Sequence, residues 1–127
     1  MADRKSKILL VEPNADLLEM LVSGFTRRFD PYLTCVDSAA SCMEVELSDP
    51  HDLIVCELSL PDVGGIELAE QLRSLSTDKR PVVLLADKAP GTKVIAALRA
   101  GVHDVFRKPF ALAELLADFD ELLHDHR

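Results

Sequence analysis

Five short, predominantly apolar runs alternate along this chain with five longer segments whose apolar residues recur at helical spacing. The runs fall at residues 7–11, 32–36, 53–56, 82–85 and 105–106. A strand with one face in water alternates apolar and polar positions. An unbroken run of Val, Ile and Leu instead predicts a strand covered on both faces, as in a parallel sheet. The intervening segments supply the covers. Leu17, Leu18, Leu21, Val22 and Phe25 form one stripe, with Asp16, Glu19, Ser23 and Arg27 off it. Ser38 is placed to cap a second helix that ends before Asp49-Pro50. A third carries Leu68, Leu72 and Leu75, and a fourth opens around Pro90 and stops at Gly101. A fifth carries Leu112, Leu115, Leu116, Phe119, Leu122 and Leu123. Strand then helix, five times over, predicts an α/β fold: a doubly wound (βα)5 sandwich around a five-stranded parallel sheet.

At 127 residues the chain fits a single domain over residues 1–127, able to bury a core without a disulfide or metal staple. The expectation is open between a domain that stands alone and the N-terminal part of a longer protein. The formal charge of −8 argues against nucleic acid or an anionic membrane as a direct partner. After Met1-Ala2-Asp3-Arg4-Lys5, only Ile8 to Val11 are consecutively apolar. That is too short for a signal peptide or a membrane span, and a cytoplasmic location is expected. Cys35, Cys42 and Cys56 are odd in number and form no CxxC pair, which fits reduced thiols in a core. His51, His103, His124 and His126 are too scattered for a ligand set.

In doubly wound sheets, ligands bind outside the carboxyl ends of the strands, where the strand order reverses. The loops to read are therefore residues 12–14, 57–65, 86–89 and 107–110. The first, Glu12-Pro13-Asn14, has no glycine with which to cradle a phosphate. It carries an acid instead. The third strand ends in Glu57, followed by Pro61 and the pair Gly64-Gly65, which predicts an acidic pocket closed by a tight turn. The fifth ends in Arg107-Lys108-Pro109-Phe110. Two acids and a lysine thus converge on one edge of the sheet. Each acid taken singly has a competing reading as a solvated loop residue. The fourth strand end adds Asp87, whose ordinary reading is also a solvent-facing acid.

Six ordered pieces now carry a resemblance: Ile8-Leu9-Leu10-Val11-Glu12, Asp52-Leu53-Ile54-Val55-Cys56-Glu57, Leu60-Pro61-Asp62-Val63-Gly64-Gly65, Pro81-Val82-Val83-Leu84-Leu85-Ala86, Ala100-Gly101-Val102-His103-Asp104-Val105 and Lys108-Pro109-Phe110. Together they resemble the receiver domain of two-component response regulators over essentially the whole chain. The resemblance implies a flavodoxin-like fold and a non-enzymatic signalling role. It also implies a histidine kinase, phosphotransfer or effector protein as partner, and Mg²⁺-dependent phosphorylation of an aspartate at the third strand end. Carried over residue by residue, the pattern is largely rebuilt. Of the two adjacent acids that organise Mg²⁺, one remains as Glu12 and the other is Pro13, which offers no side-chain ligand. Glu57 stands at the phosphoacceptor position. The phosphoryl-contacting hydroxyl at the fourth strand end is replaced by Ala86. The aromatic switch position falls on Val105, with Phe106 beside it. Lys108 alone is intact, followed by Pro109, and the resemblance implies a cis Lys108–Pro109 bond.

Mg²⁺ needs several hard oxygen donors in near-octahedral order. Glu12 and Glu57 are the remaining candidates, and Mg²⁺ binding is expected to be weak or absent, with no other cofactor. Glutamate reaches one methylene further than aspartate, toward the space a phosphoryl oxygen would fill. A Glu57–Lys108 ion pair is therefore expected. At ~4 Å and an effective dielectric of about 20 it attracts by roughly 4 kcal/mol before desolvation. Such a pair without the hydroxyl and ring relay is a stabilised pocket rather than a switch. The leading expectation is a phosphorylation-independent pseudo-receiver that acts by binding proteins. A constitutively active phosphomimic and a phosphorelay receiver with unusual acceptor chemistry are the alternatives. An enzyme or flavin-binding reading finds no Asp-x-Asp, no Ser/Thr/Gly-rich first loop and no nucleophile triad. The fourth helix, fifth strand and fifth helix carry Lys93, Arg99, Phe106 and Arg107 among Asp104, Asp118 and Asp120. That face is expected to contact a partner or form a homodimer.

Overall fold

Ten elements alternate in a computed structural model that describes residues 5–75, 80–88 and 90–125. They are β1 (Lys7–Val11), α1 (Ala15–Phe29), β2 (Tyr32–Val36), α2 (Ala39–Ser48), β3 (Leu53–Glu57), α3 (Gly65–Leu75), β4 (Val82–Ala86), α4 (Gly91–Arg99), β5 (Asp104–Arg107) and α5 (Leu112–Asp125). Residues 1–4, 76–79, Ala89, His126 and Arg127 lie outside the description, as do the side chains of His124 and Asp125. The strands form one parallel sheet in the order β2-β1-β3-β4-β5. The order reverses between β1 and β3, so a crevice opens between their carboxyl ends.

The period-2 alternation of each strand divides the core into two layers. Ile8, Leu10, Leu53, Val55, Val83 and Leu85 point toward α1 and α5, where Phe25 stacks on Phe119 with ring centroids 4.9 Å apart. Leu9, Val11, Ile54, Cys56 and Leu84 point the other way, toward Ala39 and Cys42 of α2, Leu68 and Ala69 of α3 and Ala97 of α4. Unbroken apolar runs are thus what a sheet covered on both faces demands. The doubly wound flavodoxin-like arrangement expected from the sequence is the one found.

Several local expectations hold and some need correction. Ser38 caps α2, its side chain accepting from the Ser41 amide. Gly101 adopts φ +99° just past α4, a backbone state that favours glycine, and Arg73 packs over it while donating to the Ala100 carbonyl at 2.9 Å. Pro90 sits one position before α4, in extended backbone, rather than within its first turn. β2 is not a buried strand. It pairs only with β1 at the edge of the sheet, which leaves Cys35 exposed rather than in the core. Cys42 and Cys56 are buried, and burial pushes the Cys42 thiol up to about 12. Among the described residues, no helix is long and apolar enough to cross a membrane.

Candidate functional site

Three strand ends deliver three charged side chains to the crevice. Glu12 follows β1 directly and continues its ladder, its amide donating to the Val36 carbonyl at 3.0 Å. The pairing fixes the backbone and leaves the side chain 3 % exposed. One carboxylate oxygen, Oε2, accepts from the Asn14 amide at 3.0 Å. The other, Oε1, is buried without a hydrogen-bond partner. Next to it, Pro13 is exposed and has no donor atom to offer. The turn continues straight into α1, where the Asn14 side chain caps the helix by accepting from the Leu17 amide.

Glu57 is the last residue of β3 and is 5 % exposed. The loop after it is drawn tight. The Leu58 amide donates to the Leu85 carbonyl at 2.8 Å, and the Gly65 amide donates to the Leu58 carbonyl at 2.7 Å. A Cβ on Gly65 would lie 2.9 Å from the Glu57 carbonyl oxygen, so the approach requires glycine. Asp62 anchors the same loop to α2. Its two carboxylate oxygens accept from the Ala39 and Ala40 amides at 3.0 and 2.9 Å, and those bonds hold its carboxyl below the usual range.

Lys108 follows β5, its backbone amide donating to the Ala86 carbonyl at 2.7 Å, and is joined to Pro109 by a cis peptide. Its Nζ lies 2.6 Å from Glu57 Oε2 and 3.9 Å from Glu12 Oε1. The shorter contact is a charge-assisted hydrogen bond, and the longer is Coulombic only. The ammonium therefore stands between two buried carboxylates and bonds one of them. Burial is the main cause that pushes the Glu12 carboxyl above its ordinary value. The Asn14 amide and Lys108 oppose this, and the neighbouring Glu57 charge adds to it.

Ala86 is fully buried at the end of β4 and brings no hydroxyl to this cluster. Val105 packs half-buried on the layer of α2, α3 and α4. Its neighbour Phe106 faces the opposite way, against the layer of α1 and α5, with Phe110 6.4 Å away. Phe106 therefore lies on the other side of the sheet from Val105 and is not a switch ring moved by one residue. Asp87 is exposed, as its ordinary reading required. Asp120 also leaves the α4–β5–α5 face, because Arg28 of α1 holds it at 2.7 Å.

A second buried polar cluster, absent from the expectations above, lies at the opposite end of β3. The His51 ring donates from Nδ1 to Glu46 Oε2 at 2.7 Å, since a carboxylate accepts only. Its Nε2 shares a 2.8 Å hydrogen bond with the Thr34 hydroxyl, and its amide also donates to Glu46. Arg80 donates to the His51 carbonyl at 2.6 Å. A signal for Glu46 existed: it continues the buried stripe of Ala39 and Cys42 at helical spacing, so it was an acid aimed inward.

A parallel sheet whose order reverses between β1 and β3, with acids at both strand ends and a lysine after β5, defines a receiver-like signalling domain. The family model described as the response regulator receiver domain matches residues 8–120, and the chain belongs to that family of two-component signalling domains. It is 32 % identical over 117 residues to the transcriptional regulatory protein PrrA of Mycobacterium tuberculosis, covering 92 % of this chain and 49 % of that protein. It is 32 % identical over 118 residues to the response regulator MprA of Mycobacterium ulcerans, covering 92 % and 50 %. The chain thus spans about half the length of these curated relatives. Among solved structures, the receiver domain of the Francisella response regulator 1452 superposes with a TM-score of 0.88. It is 21 % identical, with 97 % of this chain and 100 % of that one covered.

Proposed function

We propose that this receiver works without phosphorylation, as a protein-interaction module of two-component signalling. The observation that carries the reading is the 2.6 Å bond between Lys108 Nζ and Glu57 Oε2. The lysine is already neutralised by the residue at the acceptor position, and the longer glutamate fills the space that an incoming phosphoryl group needs. Mg²⁺ does not fit well. Pro13 supplies no oxygen, Glu57 is engaged by an ammonium, and no group of three or more His, Cys, Asp or Glu among the described residues is arranged for a metal. The relay is also missing, since Ala86 has no hydroxyl and Val105 no ring. The domain acts in the cytoplasm through a histidine kinase, phosphotransfer or effector protein, and performs no catalysis of its own. Its α4–β5–α5 face suits an effector, because Ile95 and Leu98 of α4 are about half exposed beside Arg99.

A second reading keeps weak Mg²⁺ binding and unusual acceptor chemistry. One observation favours it: Glu12 Oε1 is buried without a partner, as an oxygen awaiting a cation would be. An amide NMR titration with Mg²⁺, then with Mg²⁺ and beryllofluoride, separates the two. The triple variant Pro13→Asp, Glu57→Asp, Ala86→Thr serves as the responsive control. Silence in the native chain beside shifts in the variant supports the interaction module. Shifts around Glu12, Glu57 and Lys108 in the native chain at millimolar Mg²⁺ return the second reading to the front.

A further inference from the structure

We propose that α1 is a self-association surface, on which a second copy of this chain packs antiparallel about a two-fold axis between Met20 and Ser23. This goes beyond the functional reading above and uses a different face of the domain. Its first support is shape. A groove of about 490 Å³ runs between α1 and α5, floored by Met20, Ser23 and Gly24 on one side and Leu112, Ala113 and Leu116 on the other. Gly24 keeps that floor low, for a Cβ there would lie 3.0 Å from Leu112 Cδ2. Met20 is exposed at its edge, a flexible apolar side chain with no cover of its own.

The second support is charge complementarity that another copy satisfies. Asp16, Met20, Ser23 and Arg27 are all exposed on α1 and are spaced four, three and four residues apart, so they line one stripe. The stripe is acidic at its start, apolar and small at its centre, and basic at its end. Its spacing is the same from either end. An antiparallel copy therefore sets Asp16 against Arg27 twice, and Met20 against Ser23 twice, as an isologous interface requires. By the same register Glu19 falls opposite Gly24, where the missing side chain permits close approach. Met20 of each copy enters the groove of the other, above Leu112 and Leu116. Asp16, Glu19 and Arg27 form no ion pair among the described residues, so their charges are free for this contact. Arg28, by contrast, is committed to Asp120 of α5 and closes the end of the groove.

Sedimentation velocity of the 127-residue chain over a concentration series tests the proposal. The native chain is expected to dimerise weakly and to dissociate as salt rises. Asp16→Arg and Arg27→Asp should each weaken association by roughly tenfold or more, because each homodimer then faces like charges twice. Mixing the two variants should restore it, since the mixed dimer regains both opposite-charge pairs. Met20→Glu, which leaves the helix ends untouched, should abolish association with an unchanged far-UV circular dichroism spectrum. A native chain that stays monomeric to near-millimolar concentration overturns the proposal. So does a dimer that survives Met20→Glu, or one that Leu98→Arg on α4 disrupts in its place.

Discussion

Strand β3 carries a buried acid–base cluster at each end, and the two are built to different standards. Below its first residue, Glu46, His51, Thr34 and Arg80 join α2, β2 and the approach to β4. Both His51 ring nitrogens, its amide and its carbonyl are hydrogen-bonded there. Beyond its last residue, Glu12, Glu57 and Lys108 share one positive charge between two buried carboxylates, and Glu12 Oε1 has no hydrogen bond. A satisfied buried network ties elements together, whereas an unsatisfied one stores a cost that a proton or ligand can relieve. The first end is thus a structural joint. The second, on the function proposed above, is a former binding site now closed by its own ion pair.

The difference can be broken most directly at the joint. His51→Ala removes the ring and leaves the Glu46 carboxylate buried with only an amide donor. It should cost about 3 kcal/mol or more in urea unfolding, a large share of a small domain's stability. A cost near zero would mean that water already serves that end. Lys108→Met should be milder, about 2 kcal/mol by the same measurement, because the two acids it leaves behind can share a proton at the mouth of the crevice. If the two losses prove equal, the contrast between joint and closed site fails.

Glu12→Gln sharpens it with the smallest effect, and with the opposite sign. The amide can donate where the carboxylate could not, so the variant should gain up to about 1 kcal/mol at neutral pH. The gain must depend on pH. The Glu12 carboxyl is raised in the folded chain above its ordinary 4.5, so folding favours its protonated form. That contribution is fully present below the unfolded value and is lost as pH rises through the raised one. The stability difference between native chain and variant should therefore open across that interval and stay constant above it.

Much of this is legible in the sequence alone. The alternation of runs and stripes pointed to the sheet, because repeated strand-then-helix units lay parallel strands side by side with covering helices on both faces. Position at strand ends was enough to nominate Glu12, Glu57 and Lys108, since a parallel sheet gathers those ends in one place. What pattern could not supply was strand order. The run at residues 32–36 looks like its fellows, yet β2 lies at the edge, and Cys35 is exposed in consequence. Nor does the pair Val105-Phe106 show in sequence which residue meets which layer. That is decided by the register of β5 on β4, with Val105 opposite Leu84 and Phe106 opposite Leu85. The joint at His51 escaped because its members are distant in sequence and unremarkable singly.

The reach of Asp62 across to α2 has a consequence for how the molecule breathes. A helix leaves its first amides without partners inside the helix, and here two of them, on Ala39 and Ala40, are held from the β3–α3 loop. Swinging that loop outward strips both bonds at once, so loop opening and fraying of the α2 start are a single event. In hydrogen–deuterium exchange, the Ala39 and Ala40 amides become the clock for movement of a loop to which neither residue belongs.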